Sequence, residues 1–132
     1  LKRLEVVFQR LRGAGLKLKP KKCELFKQQV LYLGHVVSRE GIATDPEKIR
    51  VVRDWPTPTS VTQVQSFVGL ASYYRRFVRG FADIARPLHR LTEKGRQFDW
   101  DDSCETSFQR LKVLLQEAPI LAYPNPAQDY IL

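Results

Sequence analysis

The chain has 132 residues, of which 43% are hydrophobic and 27% are charged. This balance excludes a globally disordered protein and suffices for one domain or two small subdomains. No apolar run approaches the roughly 18 residues of a membrane-spanning helix, so no membrane partner is expected.

The first part of the chain predicts one helix and short strands. Apolar residues recur at helical spacing through residues 1–14, which indicates a helix with one apolar face. Leucines alternate with lysines over residues 16–19, a pattern that predicts a short strand ending at Pro20. The run VLYLGHVV at residues 30–37 predicts a hairpin strand, and Gly34 inside it indicates a bulge or a close approach to another backbone.

Residues 45–78 predict two helices joined by a stiff linker. The Asp-Pro-Glu sequence at residues 45–47 is a helix-start signal, with the aspartate as N-cap and proline in the first turn. Prolines restrict residues 55–58 to extended conformations, as in a linker between subdomains. Ser60 and Gln63 form a capping box that opens a helix over residues 61–78.

The rest of the chain predicts two more helices and a short β segment. Residues 81–91 show helical apolar spacing, and Pro87 is expected to kink or split that helix. Asp101 is expected to cap a helix that continues to about residue 117. The last residues, ILAYPNPAQDYIL, predict two short strands around a Pro-Asn-Pro turn, the final one over residues 130–132. The predicted fold class is therefore α+β.

The charge distribution points to a polyanionic partner. The formal net charge is +8, and the positive excess lies in residues 1–98, whereas residues 99–132 are net acidic. A basic surface attracts nucleic acid because binding releases condensed counterions. A solvated basic surface without a partner is the alternative.

No set of residues has the spacing of a catalytic site. His35 and His89 follow neither metal-site nor triad spacing, and a lone histidine on a strand is more often structural. The aspartates at positions 99, 101 and 102 stand at a helix start, where capping and the helix dipole explain them. Neither cysteine lies in a metal-binding spacing, so no metal site is expected. These patterns indicate a binding module rather than a complete enzyme.

The helix predicted over residues 61–78 has an unusual face. Gln65, Gly69 and Tyr73 recur every four residues and share one side of the helix. Glycine there costs about 1 kcal/mol relative to alanine, so something should need the close approach that it permits. One hypothesis is a helix laid against a nucleic-acid groove, and the alternative is close helix–helix packing across Gly69. Three cations follow at the helix end, where they could hold phosphates: Arg75, Arg76 and Arg79.

Long runs of the sequence resemble gypsy-type LTR retrotransposon reverse transcriptases, and the resemblance covers essentially the whole chain. The runs are LRGAGLKLKPKKCELF, YLGHVVSREGIATDPEKI, WPTP, SFVGLASYYRRFVRGFADIARPLHRLT, FDW, CETSFQRLK and APILAYPNP.

This resemblance implies a division into three parts. Residues 1–42 would be the end of the palm with its primer-grip hairpin, 43–97 the thumb, and 98–132 the start of a connection or RNase H-like region. The resemblance also implies nucleic-acid-binding residues. Tyr32, Leu33, Gly34 and His35 resemble the primer grip, and Gln65, Gly69 and Tyr73 match the thumb helix that follows the minor groove.

The family also implies partners and a limit on activity. The expected partners are RNA–DNA hybrid and DNA duplex, together with the remaining palm, fingers and RNase H segments of an intracellular polyprotein. The catalytic aspartates of the family, and the Mg²⁺ that they bind, belong to segments outside this chain, so no cofactor and no independent catalysis are expected here. A domesticated, noncatalytic interaction module and a scaffold that folds only with its neighbours are the alternatives.

Overall fold

The computed structural model describes residues 1–124, so the strand predicted at 130–132 lies outside the described residues. Five α-helices and a three-stranded antiparallel sheet form the described part, which confirms the α+β fold class. In chain order the elements are α1 (Lys2–Gly13), β1 (Gln29–Tyr32), β2 (His35–Ser38), β3 (Ile42–Thr44), α2 (Pro46–Arg53), α3 (Val61–Tyr73), α4 (Phe81–Leu91) and α5 (Asp102–Gln116).

Three helices begin at the residues that the sequence predicted as their N-caps. The Asp45 carboxylate accepts a hydrogen bond from the Glu47 amide at 2.9 Å and opens α2. The Ser60 hydroxyl accepts from the Gln63 amide at the start of α3. Asp101 accepts from an amide one turn into α5. Each carboxylate or hydroxyl satisfies an amide that the helix itself leaves without a partner.

The hydrophobic core lies between α3, α4 and α5. The rings of Phe67 from α3 and Phe108 from α5 pack with centroids 4.6 Å apart, and Leu88 of α4 is fully buried in the same cluster. Burying a side chain of this size contributes about 1.5–3 kcal/mol to stability. Val52 connects α2 to the same core. Residues 46–116 are therefore held together by one apolar cluster.

The sheet corrects the prediction of a single strand over residues 30–37. These residues form two strands, β1 and β2, which pair in antiparallel register from Gln29↔Ser38 to Tyr32↔His35. Leu33 and Gly34 form the turn, both in the left-handed region with φ of 45° and 65°. That geometry matches the twist of a two-residue hairpin, so Gly34 serves a tight turn rather than a bulge.

Two further predictions were wrong in detail, and a third is narrowed. Residues 16–19 form no strand because the described chain offers them no pairing partner, and a 3-10 turn follows at Pro20–Lys22. The helix predicted to reach residue 78 ends at Tyr73 and gives way to a 3-10 turn, Arg75–Phe77. Pro87 lies inside α4, so of the two predicted outcomes, a kink or a split, the split does not occur.

The segment after α5 returns to the sheet. Leu121 pairs with Ile42 through two backbone hydrogen bonds of 2.8 and 2.9 Å. The Tyr123 hydroxyl donates to the Ser38 carbonyl at 2.8 Å. The strand predicted in this segment is thus present as an isolated bridge along the edge of β3.

The N-terminal helix α1 lies outside this core. None of its residues is buried, and Val7 and Phe8 on its apolar face are exposed. Within the described chain, no helix is both long and apolar enough to cross a bilayer.

We expect Gly41→Ala to destabilise the fold strongly. A Cβ at this position would lie within 2.9 Å of the Leu121 carbonyl carbon, and the φ of 141° is unfavourable for alanine. The backbone conformation alone should cost roughly 1–3 kcal/mol. Gly95→Ala is the matched control, since its φ is 82° but no atom lies within 4 Å of the added carbon. Thermal unfolding should show the larger loss for Gly41→Ala, and equal losses would contradict the Leu121 contact.

Candidate nucleic-acid interface

The hairpin tip, defined as Tyr32–His35, meets the end of α3. The Tyr73 hydroxyl donates a hydrogen bond to the Leu33 carbonyl. The neighbouring Tyr74 hydroxyl donates to the Gly34 carbonyl at 2.7 Å. Two consecutive residues of one helix end thus bind the two consecutive residues of the turn, 40 positions earlier in the chain.

His35 sits inside an aromatic cluster at this junction. Its ring centroid lies 5.1 Å from that of Tyr73, 5.4 Å from that of Tyr74 and 5.7 Å from that of Phe77. The Nδ1 atom is 2.9 Å from the Leu33 carbonyl oxygen. Because a carbonyl only accepts, Nδ1 is the donor of this hydrogen bond, and the other ring nitrogen is Nε2. That atom is buried and has no hydrogen-bond partner among the described residues.

The two tyrosines differ in their surroundings. Tyr73 is 50% exposed, whereas Tyr74 is fully buried. Burial raises the pKa of the Tyr74 hydroxyl above its ordinary value of 10.0. The backbone of Asp45 lowers this pKa, and the charge of the Asp45 carboxylate raises it. Gly34 is close to both rings, since a Cβ there would meet Tyr73 Cε1 at 3.4 Å and the Tyr74 hydroxyl oxygen at 3.5 Å.

The face of α3 defined by Gln65, Gly69 and Tyr73, called the groove face below, is exposed along its whole length. A Cβ added at Gly69 would meet no atom within 4 Å. Close helix packing requires a neighbour at that point, so the packing alternative is wrong for the described residues. The bare backbone at Gly69 therefore faces open space.

Apolar side chains of the hairpin tip and basic side chains that follow α3 in the sequence are also exposed. Tyr32 and Leu33 at the hairpin tip are 65% and 70% exposed. Three arginines beyond the end of α3 are also exposed, and none of them takes part in an ion pair between described residues. They are Arg75, Arg76 and Arg79.

The structure brings together part of the predicted site. Leu33 and His35 contact Tyr73 directly, and a Cβ added at Gly34 would lie 3.4 Å from the Tyr73 ring. Gly69 lies one turn and Gln65 two turns before Tyr73 on the same helix. Tyr32 is also part of the hairpin tip and is exposed. The sequence analysis did not predict the contacts of Tyr74 and Phe77 with the hairpin. The signal for Tyr74 was its hydroxyl, because a buried tyrosine requires a hydrogen-bond partner.

Solved structures define the class of this fold. The foamy viral protease-reverse transcriptase in complex with dsDNA superposes with a TM-score of 0.76 at 27% identity, over 96% of this chain and 27% of that chain. The structure of the same viral protein with RNA/DNA hybrid gives a TM-score of 0.72 at 28% identity, over 92% of this chain and 17% of that one. The fold is therefore that of part of a reverse transcriptase.

Sequence relatives define the family. The Pol polyprotein from transposon 412 of Drosophila melanogaster is 37% identical over 132 residues, which is 100% of this chain and 11% of that polyprotein. The Pol polyprotein from transposon gypsy of the same species is 35% identical over 95% of this chain and 13% of its own length. Over nearly its whole length the chain is homologous to gypsy-type retrotransposon Pol polyproteins, as its sequence predicted, and it corresponds to a reverse transcriptase region.

A further relative comes from a plant. An uncharacterized mitochondrial protein of Arabidopsis thaliana is 38% identical over 107 residues, which is 80% of this chain and 67% of that protein. No family model matches the chain. The chain thus spans about a tenth of the Drosophila polyproteins but two thirds of the plant protein.

We expect the buried Tyr74 hydroxyl to make stability pH-dependent at alkaline pH. Its pKa is raised in the folded chain, so the folded state favours the protonated form. The contribution of this hydroxyl to the free energy of unfolding is complete below pH 10. It is lost as the pH rises through the pKa that the hydroxyl has in the folded chain. Melting temperatures of the wild type and Tyr74→Phe should therefore converge above pH 10. Curves that stay parallel from pH 8 upward would contradict this role.

Proposed function

We propose that the chain is the primer–template binding part of a retrotransposon RNA-directed DNA polymerase. The observation that carries this proposal is the junction at Tyr73. The hairpin tip contacts Tyr73 at the end of the groove face, and three exposed arginines follow within six residues of Tyr73 along the chain. A hairpin that positions the primer end and a helix that follows the duplex would act side by side on such a surface.

The chemistry of this surface suits a duplex of any sequence. A polymerase must hold many sequences equally, so it reads phosphates, sugars and groove shape rather than base identity. Gly69 allows the helix backbone to approach a shallow minor groove, and Tyr73 offers a ring and a hydroxyl to the sugars. Arg75, Arg76 and Arg79 would bind phosphates. The neighbouring viral structures, described as complexes with dsDNA and with RNA/DNA hybrid, support this choice of ligand.

We assign the chain to three regions of that polymerase. Residues 1–42 are the end of the palm with the primer grip, 43–97 the thumb, and 98–132 the start of the connection or RNase H-like region. Divalent-metal phosphoryl transfer requires clustered aspartates. We place those aspartates and their Mg²⁺ in other segments of the polyprotein.

The apolar face of α1 is the proposed contact with those other segments. Leu4 and Leu11 on this face are half-buried, and Val7 and Phe8 are exposed. A helix that fully buries none of its apolar stripe against its own chain gains little stability from packing. The remaining palm would supply the missing surface.

A second candidate function is a noncatalytic interaction module derived from a retroelement. One observation favours it: the plant relative is a protein in which the region matched by this chain makes up two thirds of the length. The two candidates differ in the flanking sequence. A reading frame with Y-x-D-D before this region and a T-D-A-S-like motif after it supports the polymerase, and a frame without either supports the module.

Neutralising the three arginines should reduce the salt sensitivity of binding. We expect the chain to bind RNA–DNA hybrid weakly and without sequence preference. In Arg75→Gln/Arg76→Gln/Arg79→Gln, the slope of log K against log salt should fall by up to about 0.9 for each phosphate that is no longer neutralised. Fluorescence anisotropy with a labelled hybrid over a salt series measures this slope.

The control for that experiment removes the same charge elsewhere. Arg50, Arg53 and Arg96 each pair with a carboxylate on the surface. Their triple replacement by glutamine should leave the slope closer to that of the wild type. Equal slopes for the two triple variants would mean that only net charge matters and would remove the three arginines from the interface.

Gly69→Ala should separate stability from binding. The added methyl meets no atom within 4 Å, so stability should stay constant or rise by up to about 1 kcal/mol. The same methyl should hold α3 away from the duplex, speed dissociation of the hybrid and lower processivity in the parent polymerase. Gly13→Ala is the control, because it too adds a methyl group that meets no atom within 4 Å. Gly13 is the last residue of α1 and lies outside the groove face. A lower melting temperature with normal hybrid retention would exclude Gly69 from the interface.

A further inference from the structure

We propose that Tyr74 is a positioning residue, which holds the hairpin tip in a fixed place relative to the groove face of α3. This inference rests on the proposed function, because it concerns how two parts of the same binding surface keep their geometry. Tyr74 itself is fully buried. It therefore acts through the hairpin and not by touching the duplex.

The hairpin turn needs hydrogen-bond donors from outside the sheet. In a two-residue turn, the strands pair up to Tyr32 and His35, and the carbonyls of the two central residues point away from the ladder. Those carbonyls belong to Leu33 and Gly34. Each carbonyl accepts a hydrogen bond from a tyrosine hydroxyl at the end of α3. The helix end therefore satisfies two backbone carbonyls that would otherwise depend on water.

The two ends of this connection differ in rigidity. The ring of Tyr74 is anchored in the apolar cluster shared by α3, α4 and α5. The hairpin strands are only four residues long, and such short strands hold their position poorly without further contacts. The Tyr74 hydroxyl, 2.7 Å from the Gly34 carbonyl oxygen, thus transfers the position of the rigid core to the tip.

Tyr73 and His35 complete the junction but are unsuitable for testing it. The Tyr73 ring is half exposed and belongs to the proposed binding surface, so its replacement would change two things at once. His35 is itself part of the tip. Tyr74→Phe removes one hydroxyl, keeps the buried ring and leaves every exposed group of the surface in place.

The test compares Tyr74→Phe with Tyr123→Phe in the 132-residue chain. Both variants delete a hydroxyl that donates to a hairpin-sheet carbonyl, at 2.7 Å for Tyr74 and 2.8 Å for Tyr123. Tyr123 binds Ser38 at the opposite end of β2. Amide hydrogen exchange measured by NMR reports on the tip and the helical core separately, and anisotropy reports the affinity for RNA–DNA hybrid.

In Tyr74→Phe we expect exchange at residues 31–36 to accelerate by about tenfold, as removal of one hydrogen bond implies, while amides in α5 exchange as before. Hybrid affinity should fall severalfold. Tyr123→Phe should leave both the tip and the affinity unchanged. Unchanged exchange at the tip in Tyr74→Phe would overturn the proposal, and so would faster exchange with unaltered hybrid affinity. Absence of hybrid binding by the wild type would instead overturn the proposed function, and the exchange data would still decide whether Tyr74 holds the tip.

Discussion

The ring of Tyr74 lies in the core between three helices, and its hydroxyl reaches the turn of the hairpin. The rest of the candidate surface depends on this one interaction. It fixes the tip beside Tyr73, and Tyr73 is the last residue of the exposed face of α3. The same buried environment that excludes water from the Tyr74 hydroxyl raises its pKa and strengthens its hydrogen bond to the carbonyl of Gly34. A single side chain therefore links the stability of the helical core to the geometry of the surface.

The chain divides into a part that packs and a part that does not. Residues 46–116 share one apolar cluster, whereas α1 buries no residue and keeps its apolar face exposed. Helices of this length derive most of their stability from packing an amphipathic face. The exposed face of α1 agrees with the proposed contact between this helix and other segments of a longer protein. The small share of the Drosophila polyproteins that the chain covers agrees with that setting.

Sequence predicted the elements whose ends are encoded by nearby side chains. The starts of α2, α3 and α5 follow from Asp45, Ser60 and Asp101, each of which caps its own helix.

The turn at Leu33 was missed because leucine seldom adopts positive φ and an Asn-Gly pair is the usual signal. Its cause is tertiary: hydroxyls 40 residues away satisfy the turn carbonyls. The early end of α3 has the same origin, since Tyr74 turns inward and no glycine or proline marks that position. The periodicity that placed Gln65, Gly69 and Tyr73 on one face was sufficient for the face, but the family resemblance was needed to suggest what it binds.

Two glycines show how differently the same residue can serve one surface. Gly34 has φ of 65° beside two tyrosine rings, so it is required by backbone conformation and by the space that those rings leave. Gly69 lies in regular helix, faces open space and lowers helix stability without any gain in packing. A helix retains a destabilising glycine where the residue serves binding and not stability. The cost is explained if a ligand must approach the helix backbone more closely than any side chain allows. Binding in a nucleic-acid minor groove requires such a close approach of the helix backbone. The requirement is the same at every step along the duplex, regardless of sequence. The exposed glycine, rather than the positive charge, is thus the feature that distinguishes a groove-following helix from a generally basic surface.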